Sequence, residues 1–443
     1  MTFYLPVGIF QYMKNIFAEK FFYHIYPLGL AGCPEHNDFS CPAGNAFEIL
    51  QADLDRIQAL GVNALYIGPV FESSAHGYDT VDYYHIDRRL GNNEKFTIFC
   101  RECHKRGIAL VLDAVFNHTG RDFFAFKDIQ KNGENSIYRD WYKNLNFGRR
   151  SCMGDNFDYD GWAGCMDLVK LNVDNPQVRE HIFGAVDYWM DTFNIDGLRL
   201  DAADVLSMDF LDALSTHCKS RKANFWLMGE VVHGDYNDWA RPGRLDSITN
   251  YQIYKSLWSS LNDKNFFELS YNLEREFGPG GMYKYAPLYN FLDNHDVNRL
   301  ASTINDIHHL YLVYALMFLI PGIPSVFYGS EYGIKGTRNQ YGDKELRPCL
   351  PPFCKAIPDF AKPRPGSEKL FEEIASFAKM RTSHPALRYG DYKTVSVTNT
   401  SLVFKRNCDE ESLLIVVNCD EKTQKVSTPI GLVEVPGNWF VLL

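Results

Sequence analysis

The chain has 443 residues, which is enough for about three domains or for one large domain with additions. Its formal charge of −10, with no basic run, argues against nucleic acid or an anionic membrane as a partner. A hydrophobic fraction of 46% and an aromatic fraction of 15% are typical of a folded globular chain. A neutral or cationic small ligand therefore fits the composition better.

The cysteines and the apolar runs bear on the compartment. The eleven cysteines show no repeated close spacing, so they predict neither a disulfide framework nor a zinc ribbon. Residues 1–20 lack a basic segment followed by an apolar core, so we expect no signal peptide. The longest apolar run, residues 310–320, is too short to cross a bilayer and predicts a buried helix. These features favour reduced thiols and a cytoplasmic protein.

Strand-like apolar runs alternate with helical periodicity along the chain. A first strand is predicted over residues 21–26, and a helix over 47–60, where apolar residues recur on one helical face. Further helices are predicted over 96–105 and 176–193, the second opened by Asn175 and Pro176 as cap and first-turn residue. Seven more strands are predicted at 64–67, 108–112, 197–200, 225–228, 247–249, 289–292 and 323–327.

Eight strands alternating with helices over roughly the first 385 residues predict a (β/α)8 TIM barrel, whose catalytic groups lie at the carboxyl ends of the strands. Asp113, Asp201, Glu230 and Asp296 come at the ends of the third, fourth, fifth and seventh strands, so acidic groups collect at that rim. An open doubly wound sheet is the competing fold. It would normally show a glycine-rich phosphate turn after the first strand, and residues 27–30 show none.

The barrel is predicted to comprise residues 1–118 and 172–385, with two additions. Residues 119–171 form an inserted loop domain rich in Asn, Asp, Gly and aromatic residues, and residues 386–443 form a small antiparallel β-domain. The acid and amide groups of the insertion, with Asn117 before it, predict a possible structural calcium site. The spacing is not that of an EF-hand, and solvated turn residues are the commoner explanation.

Arg199 and Asp201 are two residues apart at the end of the fourth strand, which places both side chains on one face. A guanidinium beside a carboxylate holds it ionised and fixes its orientation, as a catalytic nucleophile requires. The alternative is a structural ion pair, since charged pairs usually do no chemistry.

Four segments, in order, resemble the motifs of the α-amylase family of glycoside hydrolases: 113–118 (DAVFNH), 197–201 (GLRLD), 229–231 (GEV) and 291–296 (FLDNHD). Residues 76–80 (HGYDT) and 322–329 (GIPSVFYG) support the resemblance, which covers nearly the whole chain. It implies Asp201 as nucleophile, Glu230 as general acid and Asp296 as stabiliser of an oxocarbenium-like transition state, in a retaining mechanism without a required cofactor. We expect Glu230 to be the more enclosed carboxyl, with a raised pKa. The implied substrate-binding residues are Tyr78, Asp113, His118, Arg199 and His295.

Residues 166–172 and 229–250 resemble the neopullulanase and cyclomaltodextrinase group, although no counterpart of its N-terminal β-domain is seen. Many α-amylases carry Lys-His where this chain has Asp204 and Val205, so a contact to the leaving-group sugar is expected to differ. With Ala202 directly after the proposed nucleophile, the chain resembles relatives that cut α-1,4 rather than α-1,6 bonds.

The resemblance implies hydrolysis of α-1,4-linked malto-oligosaccharides or related α-glucans. A glucanotransferase that uses the same intermediate stays open, because no residue separates the two activities. A non-catalytic binding protein on the same fold is disfavoured, since all three carboxylates are present. The preference for α-1,4 or α-1,6 bonds, exo or endo mode, substrate length and oligomeric state are also left open.

Overall fold

Short, almost wholly buried apolar segments form the strands of the central sheet, as expected for parallel strands covered on both faces. A computed structural model describes residues 16–284, 286–340 and 342–443. Residues 1–15, which belong to the segment in which we expect no signal peptide, lie outside the described residues. The eight strands are β1 (Phe22–Ile25), β2 (Ala64–Ile67), β3 (Ala109–Ala114), β4 (Gly197–Leu200), β5 (Trp226–Gly229), β6 (Ser247–Ile248), β7 (Tyr289–Phe291) and β8 (Ile323–Phe327).

The strands are parallel and pair in the order β6-β5-β4-β3-β2-β1-β8-β7. A parallel bridge between Thr249 and Tyr289 joins the two ends of this order, so the sheet closes on itself. The prediction of a (β/α)8 barrel is confirmed, and the open doubly wound sheet is wrong. The lumen is filled by large side chains, among them Trp226, on whose ring Phe17 stacks at 4.8 Å. The barrel therefore has a packed centre and an accessible rim.

Eight helices of at least twelve residues lie in the described part of the chain: α1 (Ala46–Ala59), α2 (Asn93–Lys105), α3 (Pro176–Phe193), α4 (Met208–Arg221), α5 (Tyr251–Asn262), α6 (Phe266–Phe277), α7 (Ile307–Leu319) and α8 (Leu370–Ser383). Shorter helices span Pro27–Leu30, Phe124–Asn132, Leu300–Thr303 and Pro385–Tyr389. Asn175 caps α3, accepting from the backbone N–H groups of Gln177 and Val178 as predicted. The apolar run at 310–320 lies in buried helix α7. None of the described helices has the length and apolar character that a membrane span requires.

The insertion after β3 is more ordered than the predicted loop. It contains the helix at Phe124–Asn132 and a three-stranded antiparallel sheet of His118–Gly120, Gly161–Trp162 and Cys165–Lys170. The C-terminal part forms a four-stranded antiparallel sheet and a separate hairpin, which confirms the predicted β-domain. Its strands are Asp391–Val397, Ser401–Asn407, Ser412–Asn418, Gln424–Thr428, Gly431–Val435 and Trp439–Leu442. A hairpin of Phe71–Ser73 and Thr80–Ile86 follows β2.

Candidate active site

Strand register places the central acidic groups side by side. Leu200 of β4 lies opposite Ala114 of β3 and Gly229 of β5, and Asp201 and Glu230 are the next residues along their strands. The backbone N–H of Glu230 donates to the carbonyl of Leu200 at 3.0 Å, which continues the pairing to the rim. The fold therefore fixes both carboxyl groups on neighbouring strand ends.

One guanidinium joins three carboxylates below the rim. Arg199 Nη1 lies 2.8 Å from Asp113 Oδ1 and 2.9 Å from Asp201 Oδ1, and its Nη2 lies 2.8 Å from Glu230 Oε2. The Arg199 side chain is only 3% exposed. Burial disfavours its charge, but Asp113 and Glu230 raise the pKa of Arg199 well above its ordinary value, so it remains a cation. The fork geometry holds Asp201 and Glu230 in a fixed relation.

Glu230 is not more enclosed than Asp201, so that expectation is wrong. The Asp201 side chain is 11% exposed and that of Glu230 15%, because the two sit side by side on the same guanidinium. Burial raises the pKa of Asp201 well above its ordinary value, the Arg199 guanidinium opposes that rise, and neighbouring Glu230 adds to it. Asp201 therefore ionises less readily than a free carboxyl, and the contact with Arg199 is what favours its charged form.

Asp296 follows β7 and has two basic partners of its own. His295 Nε2 lies 2.9 Å from Asp296 Oδ2, and Arg347 Nη2 lies 3.1 Å from Asp296 Oδ1. Burial alone would raise the pKa of Asp296, but His295 and Arg347 hold it well below its ordinary range. Asp296 is thus a permanent carboxylate at neutral pH. Asp343 Oδ2 contacts the same Arg347 nitrogen at 2.6 Å and keeps it oriented.

Two tyrosines hold Asp113 from the other side. The hydroxyls of Tyr66 and Tyr78 donate to Asp113 Oδ2 at 2.8 and 3.0 Å. Tyr78 comes from the turn of the hairpin after β2, and its hydroxyl also contacts His295 Nε2. Burial raises the pKa of Tyr78 well above its ordinary value, so this hydroxyl keeps its proton.

His118 is oriented by Asn117. The Asn117 side-chain amide N lies 3.1 Å from His118 Nδ1 and can only donate, so the ring proton lies on Nε2. Burial lowers the pKa of His118 to about 3, so the ring is neutral. Nε2 is 4.0 Å from Asp201 Oδ2 and has no hydrogen-bond partner in the described residues. It faces the Asp201 carboxyl from the cavity wall.

The predicted calcium site gains no support from the donors around Asn117. Asn117 engages His118, and Asp155 in the insertion is paired with Arg121 at 2.8 and 2.9 Å. Among the described residues, no group of three or more His, Cys, Asp or Glu side chains is arranged to hold a metal ion. These residues suit a protein-only network better than a hard cation, and calcium stays a prediction.

A cavity of about 610 Å³ opens above these groups. Six of the predicted site residues line it: Tyr78, His118, Asp201, Glu230, His295 and Asp296. The structure thus brings the three proposed catalytic carboxylates to one cavity. Arg199 and Asp113 are 2% and 1% exposed and lie behind it, where they position the carboxylates. That they also contact substrate stays a prediction.

Several residues of the site were not predicted from sequence. Arg347 comes from the irregular segment after β8, and Tyr251, at the start of α5, places its hydroxyl 3.4 Å from Glu230 Oε1. Trp162 of the insertion also lines the cavity, and its side chain is 37% exposed. The only available signal was for Trp162, an aromatic residue in a long loop beside the predicted site.

Comparison with known proteins identifies the family. The family model described as "Alpha amylase, catalytic domain" matches residues 49–374. The chain belongs to the α-amylase family. The resemblance of its four motifs to that family is confirmed.

Relatives within the α-amylase family match most of this chain. A cyclomaltodextrinase of Geobacillus thermopakistaniensis is 29% identical over 396 residues, covering 88% of this chain and 64% of the relative. A cyclomaltodextrinase of Bacillus sp is 30% identical over 441 residues, covering 94% of this chain and 75% of the relative. The ligand-free cyclic α-maltosyl-(1→6)-maltose hydrolase from Arthrobacter globiformis superposes with a TM-score of 0.80 at 27% identity, covering 97% of this chain and 99% of that chain. The chain thus spans about two thirds of the first relative and the whole of the third.

Proposed function

We propose that this protein is a retaining glycoside hydrolase that cleaves α-1,4 bonds in malto-oligosaccharides and related α-glucans. The observation that carries the proposal is the Arg199 guanidinium that joins Asp201 and Glu230 at the floor of an open cavity. A retaining mechanism requires two carboxyl groups about 5 to 5.5 Å apart, and a shared guanidinium is a direct way to hold them at such a separation.

Asp201 is the proposed nucleophile and Glu230 the proposed acid and base. Glu230 donates a proton to the glycosidic oxygen as that oxygen departs. Asp201 attacks the anomeric carbon as a carboxylate that accepts from Arg199 at 2.9 Å, and it becomes the ester of the covalent glycosyl-enzyme. Glu230, now deprotonated, takes a proton from the attacking water in the second step.

Asp296 is the proposed stabiliser of positive charge on the sugar ring. His295 and Arg347 keep it ionised, so a full negative charge stands in the cavity before the reaction starts. A fixed charge of this kind favours the oxocarbenium-like transition state over the neutral ground state. The free Nε2–H of His118 and the ring of Tyr78 are proposed contacts to the same sugar.

The proposed substrates are short or cyclic α-glucans. The cavity volume falls in the usual range for small-molecule sites, about 300 to 1,000 Å³. The half-exposed ring of Trp162 offers a wall against which an apolar sugar face can pack. The names of the relatives refer to cyclic maltose oligosaccharides, which supports this size class. Asp204 lines the cavity beside Glu230, so we propose it as a contact to the leaving-group sugar.

The decisive experiment is product analysis. The purified protein is incubated with maltotriose and with a cyclic maltodextrin, and products are followed by chromatography and by NMR of the anomeric carbon. We expect glucose and maltose with retained α-configuration, and no activity in Asp201→Asn. Asp191→Asn, an exposed residue of α3, serves as control. Inverted products, or full activity of Asp201→Asn, would overturn the proposal, while longer products formed with an added acceptor sugar would assign a transferase.

We propose a cytoplasmic location for the protein. All eleven cysteines lie in the described part of the chain and are unpaired, as expected in a reducing compartment. Mass spectrometry after thiol alkylation of the unfolded protein, without a reductant, should find eleven modified cysteines.

A further inference from the structure

Two cysteines flank a turn in the segment that follows β8. Cys349 and Cys354 are both half-buried, so each keeps part of its surface open to solvent. Between them the backbone N–H of Phe353 donates to the carbonyl of Leu350 at 3.0 Å, which closes a four-residue turn. The central residues, 351 and 352, are prolines, whose fixed φ limits the other conformations of the turn. We call Cys349 and Cys354 the turn pair.

The two thiols of the turn pair interact with each other. Burial raises the pKa of Cys349 to about 12, and the interaction with the Cys354 thiol adds to that rise. Cys349 therefore keeps its proton at neutral pH. The Cys354 thiol also donates to the carbonyl of Ala356 at 3.2 Å. The two sulfur atoms are thus neighbours in the folded chain, as the formation of a disulfide requires.

Other neighbouring cysteines differ from the turn pair in their partners or in their access to solvent. Cys33 lies near Cys349, but its own thiol donates to the carbonyl of Arg89 at 3.6 Å. Cys100 and Cys103, three residues apart on α2, are only 1% and 0% exposed. A reagent in solution does not reach them while the helix layer is closed. The turn pair combines a neighbouring thiol with access from solvent, which thiol–disulfide exchange requires.

We propose that the turn pair is a site of reversible oxidation, which a small-molecule disulfide such as oxidised glutathione converts to an intramolecular disulfide. The Cys354 sulfur, as a thiolate, attacks one sulfur of the reagent, whose S–S bond breaks, and the glutathione released takes up the proton that Cys354 lost. The Cys349 sulfur then attacks the Cys354 sulfur of this mixed disulfide, and its proton leaves with the second glutathione. The turn pair loses two electrons and the reagent gains them. An excess of a reduced thiol reverses both steps.

The test is oxidation of the reduced, folded protein with oxidised glutathione, followed by thiol alkylation after unfolding, tryptic digestion and mass spectrometry. The tryptic peptide of residues 345–355 contains both cysteines of the turn pair and no other cysteine. We expect this peptide to escape alkylation and to be two hydrogens lighter than the reduced peptide. Dithiothreitol added before alkylation should restore two alkylated thiols. The buried Cys100 and Cys103 should be alkylated in full in the same digest.

Two variants separate the steps, and circular dichroism melts establish that each is folded. Cys349→Ser should stop at a glutathione adduct on Cys354, whereas Cys354→Ser should form an adduct on Cys349 at least tenfold more slowly. Cys408→Ser, at another half-buried cysteine, is the matched control and should behave as the wild type. Two alkylated thiols in the oxidised wild-type peptide, a lasting glutathione adduct there, or a link from Cys349 to Cys33 would each overturn the proposal. This result does not depend on which sugar the catalytic cavity cleaves.

Discussion

Arg199 makes its three ion pairs through a planar fork with two terminal nitrogens, one shared by Asp113 and Asp201 and the other directed at Glu230. A lysine ammonium is a single point charge on a flexible stem and cannot hold two separate carboxylates in one plane. The geometry of the proposed catalytic pair is therefore a property of this one side chain, with Tyr66 and Tyr78 fixing the third carboxylate behind it.

Glu230→Gln keeps the shape of the side chain and removes its transferable proton. We expect kcat/KM on malto-oligosaccharides to fall by roughly 10² to 10⁴, the usual worth of acid–base catalysis. An aryl glucoside with a good leaving group needs less proton donation, so it should lose less in the first step. Steady-state kinetics on both substrates measure this, with exposed Glu94→Gln as the control. Equal losses on the two substrates would show that Glu230 is not the acid.

Arg347→Met removes the guanidinium that helps to keep Asp296 ionised. Because Arg347 and His295 lower the pKa of Asp296, loss of Arg347 should raise that pKa. Asp296 then becomes protonated at a higher pH, and the acid limb of the kcat/KM profile moves upward in pH. At neutral pH we expect a loss of roughly 10- to 100-fold from the broken charged hydrogen bond.

The pH profile of Arg347→Met is compared with that of Arg338→Met. Arg338 lines the same cavity but is exposed, and it is not ion-paired with Asp296 in the described chain. An acid limb that stays in place in Arg347→Met, or that moves equally in Arg338→Met, would contradict the assignment.

Some residues of the site could be predicted from the sequence, and others could not. Asp201, Glu230 and Asp296 were assigned from the resemblance to the α-amylase motifs, and their convergence was predicted because strand ends of a parallel barrel meet at one rim. Arg347 lies in a segment without hydrophobic periodicity, so its position depends on long-range packing that a local pattern does not report. The equal enclosure of Asp201 and Glu230 also arises from packing between strands.

Helices α5 and α6 connect a buried acid to the rim. Glu276 of α6 is fully buried, and its Oε2 accepts from the side chain of Asn250 at 3.0 Å. Asn250 caps α5 by accepting from the N–H of Ile253, and the next residue, Tyr251, contacts Glu230. Burial raises the pKa of Glu276 to about 7, which exceeds the opposing effect of the Asn250 hydrogen bond.

The raised pKa of Glu276 makes stability depend on pH. A folded-state pKa above the unfolded value means that the stability contributed by this group is fully present below pH 4.5 and is lost as pH rises through about 7. Glu276→Gln has no charge to bury, so it should gain stability over the wild type as pH rises. From pH 5.5 to 8 we expect that gain to grow by about 2 kcal/mol.

Urea unfolding at the two pH values measures the effect of Glu276→Gln. Glu372→Gln, an exposed position on α8, is the control and should show no such trend. A stability difference between Glu276→Gln and wild type that is the same at pH 5.5 and pH 8 would sink the interpretation.

Elements with strong periodicity were located well from the sequence, and irregular ones were not. Helix α3 and strands β2, β4 and β8 have the predicted bounds. Helix α2 begins three residues before its predicted start, because its first turn is polar and Asn92 caps it. The helix and sheet of the insertion were missed, since their many Asn, Asp and Gly residues favour turns locally and only tertiary contacts order them.

Two buried arginines meet at the carboxyl end of α7, and one of them, Arg406, ties the C-terminal sheet to the barrel. Arg406, on the strand Ser401–Asn407, donates to the carbonyls of Leu319 and Gly390, and Arg381 of α8 donates to those of Phe318 and Ile320. Both guanidinium groups meet the carboxyl end of α7, where backbone carbonyls lack helical partners and the helix dipole is negative. Arg406 therefore docks the β-domain on the helix layer of the barrel.

At the scale of the whole molecule, the proposed chemistry requires no metal ion. Asp201, Glu230 and Asp296 supply a nucleophile, a proton donor and a charge stabiliser, which are the three functions that the retaining mechanism needs. A calcium ion near Asn117, if bound, would act on the order of the insertion. The insertion contributes His118 and Trp162 to the cavity wall, so its order affects substrate contacts, while the three carboxylates are held by the barrel strands.

We therefore expect turnover of maltotriose to persist after exhaustive dialysis against EDTA, at a temperature well below unfolding. Any effect of chelation should appear first as a lower thermal midpoint, because loosening the insertion costs stability before it displaces the carboxylates on the barrel strands. Activity and circular dichroism melts, with parallel dialysis lacking EDTA, separate the two effects. If turnover disappears while the circular dichroism spectrum is unchanged, and returns when a divalent ion is added, the metal is part of the chemistry and the three-carboxylate mechanism is wrong.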